Sequence, residues 1–174
     1  MFPRVLAAGL LAAALSSGCA SVAAPASGLL KLPDDGPVSV SWADPADYRE
    51  FSCRMVDPDH RWVEELARHV RAQAERQLPD GATLELRLVD VDRAGECEPV
   101  RNGEFQRLLR DSTPPRIELD YRLTLADGRV NEASGVRLTD LGYLQRLPTV
   151  GSGQSLLHEK RLLEDWLRRL PGAR

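Results

Sequence analysis

Between Ile117 and Leu125 the chain alternates without a fault. Ile117, Leu119, Tyr121, Leu123 and Leu125 fall on one side, and Glu118, Asp120, Arg122 and Thr124 on the other. A period of two puts every second side chain on the same face, so this segment predicts a strand with one buried and one wet side. Asp127-Gly128 follows at once, a pair favoured in tight hairpin turns. Val130 to Leu138 then returns as the partner strand, with Gly135 interrupting its pattern where a bulge is expected. A lone hairpin is at best marginally stable in water. The rest of the chain must therefore supply more strands and a layer to cover the leucine-rich face.

It does so in a readable order. Val38, Val40 and Trp42 alternate with serines and stop at Asp44-Pro45. A helix is predicted from Asp59 to Leu78, because Val63, Leu66, Val70, Ala74 and Leu78 make one stripe. Asp57 is its expected N-cap, ahead of Pro58 as first helical residue. Thr83 to Asp92 reads as a strand with Leu84, Leu86 and Leu88 on one face, opposite Glu85, Arg87, Val89 and Val91. Residues 93–114 read as polar and irregular, with a short helix possible over Glu104 to Arg110. The last helix is expected from Ser155 to Leu170, closed by Pro171-Gly172. The fold class is α+β, a two-layer α/β sandwich of order β-α-β-β-β-α. Its mixed sheet should have about four strands and carry two helices on one face. The first two strands are expected to be parallel and the last three to form a meander. A single domain should span residues 38–171.

The N-terminal segment points to export. One positive charge at Arg4 precedes an apolar run from Val5 to Leu15, eleven residues long, whereas a spanning helix needs roughly 20. With small residues after it, residues 1–18 have the parts of a secretory signal peptide. Ser16-Ser17-Gly18-Cys19 resembles the lipobox of bacterial lipoproteins, with Cys19 as the lipidated residue; the usual leucine three places before the cysteine is Ser16 here. A competing A-x-A site at Ala24-Pro25-Ala26 would release a soluble periplasmic protein. Ala20 after the cysteine lacks the aspartate of inner-membrane retention, so the expected location is the periplasmic face of the outer membrane. Residues 19–37, rich in Ala, Ser, Pro and Gly, read as a flexible tether.

Cys53 and Cys97 remain, an even pair in an oxidising compartment. They follow the first and second strands, which should run parallel, so both emerge at one sheet edge. A disulfide is the expectation, and two buried free thiols the alternative. No C-x-x-C marks a redox pair.

Little else carries chemistry. The formal net charge is −3 with both signs interspersed, which gives no basic field for nucleic acid. Asp90, Asp92, Glu96 and Glu98 form an acidic run, but Ala94 and Arg101 stand where an EF-hand needs ligands. His158-Glu159 begins an H-E-x-x-H zinc motif that Leu162 leaves incomplete. His60 and His69 are nine residues apart on one helix, about two and a half turns, so they face opposite ways. Gly151-Ser152-Gly153 completes neither a nucleophile elbow nor a dinucleotide loop. No catalytic, metal-binding or cofactor-binding residue is assigned on this reading.

Four local signatures occur in order: Asp90-Val91-Asp92-Arg93-Ala94-Gly95-Glu96; Pro114-Pro115-Arg116-Ile117-Glu118-Leu119; Thr139-Asp140-Leu141-Gly142-Tyr143-Leu144; and His158-Glu159-Lys160-Arg161-Leu162-Leu163-Glu164-Asp165-Trp166. Together they resemble the proteobacterial envelope family called domain of unknown function 3016, over roughly Val38 to Leu170. The resemblance implies one domain and export, and it brings no activity. In architecture alone the order behind a lipobox is also similar to the small outer-membrane lipoprotein that plugs the lipopolysaccharide translocon; fold by itself does not fix function.

The functional expectation is a non-catalytic binding or scaffolding module of the envelope, touching membrane only through its lipid. Its partner would be an envelope protein or an envelope glycolipid. Loops after parallel strands gather at one edge, so residues 44–53, 90–98 and 99–114 should form the partner surface, with Asp90, Asp92 and Glu96 steering a basic group. A plainer role for Asp90 is a cross-strand pair with Arg116. The enzymatic alternative is an envelope hydrolase or metal-dependent enzyme acting through Asp90, Asp92 and Glu96.

Overall fold

The computed structural model describes residues 30–50, 53, 58–145 and 156–170. The signal peptide, the lipobox at Cys19, the A-x-A site, the Gly151–Gly153 loop and the Asp57 cap lie outside them.

Among the described residues, seven strands and two α-helices follow in the order β1 (Leu30–Lys31), β2 (Val38–Trp42), α1 (Arg61–Glu75), β3 (Thr83–Asp92), β4 (Glu96–Pro99), β5 (Phe105–Leu108), β6 (Arg116–Thr124), β7 (Val130–Thr139) and α2 (Leu157–Leu167). The class is α+β, as expected. The main sheet has five strands rather than four, in the order β1-β2-β3-β6-β7. β2 and β3 are parallel, and β3, β6 and β7 form the antiparallel meander. The fifth strand comes from the segment read as tether: Leu30 and Lys31 pair with Trp42 and Ser41, and Leu32 is buried.

One core joins the layers. Val63, Leu66, Val70 and Ala74 of α1 and Leu163, Trp166 and Leu167 of α2 pack with Val38, Val40, Leu84, Leu86, Leu88, Ile117, Leu119 and Leu123 of the sheet. The opposite face of the sheet is polar, with Glu85 across from Arg122 and Arg87 across from Asp120. Opposite charges directly across an antiparallel pair are favourable.

Two bulges re-aim side chains. In β3 the register shifts between Leu88 and Asp90, so Val89 is the extra residue. Val91 consequently turns into the core and is fully buried, against its expected place on the polar face. In β7 the shift falls between Ala133 and Val136, at Ser134-Gly135, and Gly135 has φ 65°. There the expected bulge is present.

Residues 93–114 hold no helix, and their irregular stretches are interrupted by two strands. β4 and β5 form an antiparallel hairpin whose turn copies that of β6 and β7. In each, a backbone N–H donates to the carbonyl four residues on, Val100 to Glu104 at 2.8 Å and Leu125 to Arg129 at 2.8 Å. Asn102-Gly103 plays the part of Asp127-Gly128, with both glycines at positive φ. Both helices begin later than expected. His60 and Leu156 hold the cap positions in left-handed backbone conformation, with no side-chain cap bond.

Candidate functional site

The three segments expected to meet at one edge do come into contact, tied by a disulfide and a buried carboxylate. Cys53 and Cys97 are bonded, with Cα atoms 5.1 Å apart. Glu50 is buried, and Arg93 Nε donates to both of its carboxylate oxygens at 2.9 and 2.8 Å. Arg107 Nη2 of β5 donates to the same carboxylate at 2.5 Å, while its Nη1 donates to the Ala94 carbonyl at 3.1 Å. The Arg93 guanidinium lies 4.2 Å from the centre of the Trp62 ring of α1, a cation–π geometry. From the other helix, buried Glu159 accepts the Ala94 N–H at 2.7 Å. Gly95 closes this corner: a Cβ there would sit 2.5 Å from the Leu108 carbonyl oxygen. The hairpin is thereby held hard against the end of β3.

Beside this corner, on the polar face of the sheet, lies a groove made by side chains from four parts of the fold. The β3 bulge places Asp90 directly opposite Glu118 of β6, two carboxylates that would repel. Arg49 resolves the conflict. Its Nε reaches Asp90 at 2.9 Å, its Nη2 reaches Glu118 at 3.0 Å, and its backbone N–H donates to Asp90 Oδ1 at 2.8 Å. Arg137 of β7 adds a second pair to Glu118 at 3.2 Å. One cross-strand step on, Arg116 meets Asp92 at 3.3 Å. Arg116 thus pairs with Asp92, and Asp90 is taken by Arg49, which corrects the pairing of Asp90 with Arg116.

Two adjoining cavities of about 350 Å³ each share Arg49, Asp92 and Arg116 in their walls. One extends over Glu118, Arg137 and Thr139, the other over Arg93, Gly95 and Glu96 towards Ser112 and Thr113. Charge is layered across this surface. The Arg49, Arg116 and Arg137 side chains are 67%, 58% and 78% exposed, whereas Asp90, Glu118 and Asp92 are 15%, 19% and 30% exposed. Asp92 is held above the usual carboxylate range, chiefly by burial; Arg116 pulls it down and Glu50 pushes it up. Glu96, on the hairpin at the rim of the second cavity, is exposed and 4.0 Å from Arg110. Among the described residues no three His, Cys, Asp or Glu side chains converge as a metal site.

Sequence reasoning found Asp90 and Asp92 but missed Arg49, Arg137 and Glu50. Nothing local marks them, because each acquires its partner from a distant strand or loop.

A disulfide-closed α+β domain with a charged groove at its strand ends is the class that this fold and site define. The chain belongs to the family described as protein of unknown function (DUF3016), whose model matches residues 36–169. No curated protein and no solved structure matches the chain. Among the described residues no helix is long and apolar enough to cross a membrane.

Proposed function

We propose that the domain is a non-catalytic binding module of the bacterial cell envelope, lipid-anchored through Cys19, whose ligand is an anionic group bound in the Arg49–Arg116–Arg137 groove. The layering of charge carries this reading. The carboxylates lie inside and already have partners, and the guanidiniums lie outside with donors to spare. Each guanidinium has five N–H donors in a planar fork, and the ion pairs of the groove engage Nε and Nη2 of Arg49, Nη1 of Arg116 and Nε of Arg137. A carboxylate or phosphate, on an envelope protein or a glycolipid, can take the remaining donors without stripping the inner acids. That reverses the expected polarity: Asp90 and Asp92 position the arginines rather than steer a basic partner. For the compartment, support comes from the apolar N-terminal run and from the Cys53–Cys97 bond, which suits an oxidising space.

Calorimetric titration at low ionic strength with inorganic phosphate, a phosphorylated disaccharide and an aspartate-rich peptide tests the groove and separates the two sources of anion. Charge-assisted bonds contribute about 1.5–3 kcal/mol, so Arg49→Ala and Arg116→Ala should each weaken binding by about tenfold to a hundredfold. Binding that ignores both substitutions, or no binding by any probe, defeats the reading.

One observation favours a second reading, an envelope hydrolase. Asp92 combines a raised pKa with a place in the wall of both cavities, a pairing common at general acids. Asp92→Asn would then abolish turnover of a bound ester or glycoside while leaving its binding intact.

A further inference from the structure

The sheet ends on β7, and the exposure of β7 is symmetric from either end about its bulge. Walking outward from Ser134-Gly135, the first residues on each side are Ala133 and Val136, opposite Tyr121 and Leu119. The next are Glu132 and Arg137, then Asn131 and Leu138, then Val130 and Thr139. Exposure follows the same mirror order: Asn131, Ala133, Val136 and Leu138 are half-buried, and the six others are exposed. The bulge creates this symmetry. Glu132 and Arg137 are five positions apart, an odd number, so a regular strand would send them to opposite faces. The extra residue returns them to the same polar face. Along the outer edge of β7, among the described residues, no other strand pairs.

We propose that β7 pairs antiparallel with β7 of a second copy of this chain, about a two-fold axis at Ser134-Gly135, making one ten-stranded sheet across the dimer. In that register Glu132 lies opposite Arg137 of the second copy, twice over by symmetry. Ala133 meets Val136, and Asn131 meets Leu138, on the helix-covered face. Within one copy Glu132 already contacts Arg122 at 3.1 Å, and Arg137 contacts Glu118 at 3.2 Å. The junction therefore completes a row of alternating sign, Arg122, Glu132, then Arg137 and Glu118 of the second copy. Charges and bulges on an edge strand commonly protect it from pairing. Here the strand is its own charge complement, so it repels strangers and accepts itself. A two-fold contact of one patch with the same patch is also the commonest route to a closed assembly.

The test is sedimentation velocity on the full chain carrying Cys19→Ser, which removes lipid-driven association. The wild-type edge should give a concentration-dependent dimer. Glu132→Arg puts arginine opposite arginine at both junctions, and Arg137→Glu puts glutamate opposite glutamate, so each variant alone should be monomeric. Mixed in equal amounts, the two variants should dimerise, since each junction regains one charge of each sign. Both side chains are exposed, so neither change threatens the fold. A wild-type monomer at every concentration overturns the proposal. So does a single variant that still dimerises, or a mixture that does not.

Discussion

Glu50→Gln keeps the shape of the side chain at the hairpin corner and removes the charge that holds two guanidiniums. Arg93 would be left nearly buried against a neutral amide, and Arg107 would lose its anchor to the loop. Breaking a buried pair from one side typically costs 3–5 kcal/mol. Arg107 retains some solvent, so a loss of about 3 kcal/mol of unfolding free energy is expected, read as a lower urea midpoint with the denaturant slope unchanged. His158 gives a test of opposite character. Burial holds it below the ordinary histidine range, with Glu159 raising it, Arg161 lowering it and Asp140 raising it. A depressed folded-state value means that the unfolded chain takes up the proton first as pH falls. Stability from this residue is therefore complete above about pH 6.5 and drains away as pH drops towards the folded-state value. His158→Phe keeps a ring against Tyr143, 4.7 Å away in edge geometry, and removes the titration. Thermal melts of the two proteins should differ least at neutral pH, with the wild type falling behind as acid is added; parallel curves would show that His158 titrates as it does unfolded.

The β4–β5 hairpin is the element whose stability depends most on covalent help. Its register buries only Cys97 among the four residues of β4, so it has almost no apolar face of its own. Cys53 and Cys97 are 44 residues apart, and closing a loop of that length stabilises by about 4 kcal/mol in the chain-entropy account. Cys97→Ser should lower the denaturation midpoint accordingly, and a reducing agent should do the same to the wild type and nothing to the variant. The same lack of apolar content explains why this hairpin escaped the sequence. Hydrophobic period identified β2, β3, β6, β7 and the stripe of α1, because each has a face that must be dry. Glu96-Cys97-Glu98-Pro99 and Phe105-Gln106-Arg107-Leu108 have none, and the only local signal was the Asn102-Gly103 pair between them. Val91 was misplaced for a related reason: period two carries no mark of a bulge, and one extra residue at Val89 reverses the face of everything after it. The helix starts came later than expected because His60 and Leu156 take left-handed backbone that neither residue type advertises. At the groove the acids were legible as a cluster, whereas Arg49 lies 41 residues from Asp90 and Arg137 reaches Glu118 only through the β6–β7 register. Charge pairing of that kind is a property of topology, and a linear pattern does not contain it.

For the whole molecule, the decisive quantity is the distance between a lipid at Cys19 and the first strand. β1 begins at Leu30, eleven residues on, and a fully extended chain covers at most about 3.6 Å per residue. An acyl anchor at Cys19 would thus keep the domain within about 40 Å of the bilayer, where charged groups of a glycolipid or of a neighbouring envelope protein are concentrated. A free N-terminus at Ser27 would instead leave three residues ahead of β1 and a domain at liberty in the periplasm. The proposed two-β7 dimer adds a further consequence, because two anchors on one assembly hold far more firmly than one: each buried CH2 of acyl chain adds about 0.8 kcal/mol of attachment. The intact mass of the mature protein separates the alternatives. Anchoring requires a chain that begins at Cys19 with the added mass of acyl groups and partitions into detergent, and Cys19→Ser should move it to the aqueous phase. An unmodified chain beginning at Ser27 would sink the anchored reading, and the anion-binding groove would then have to serve a diffusing protein rather than one held at the membrane.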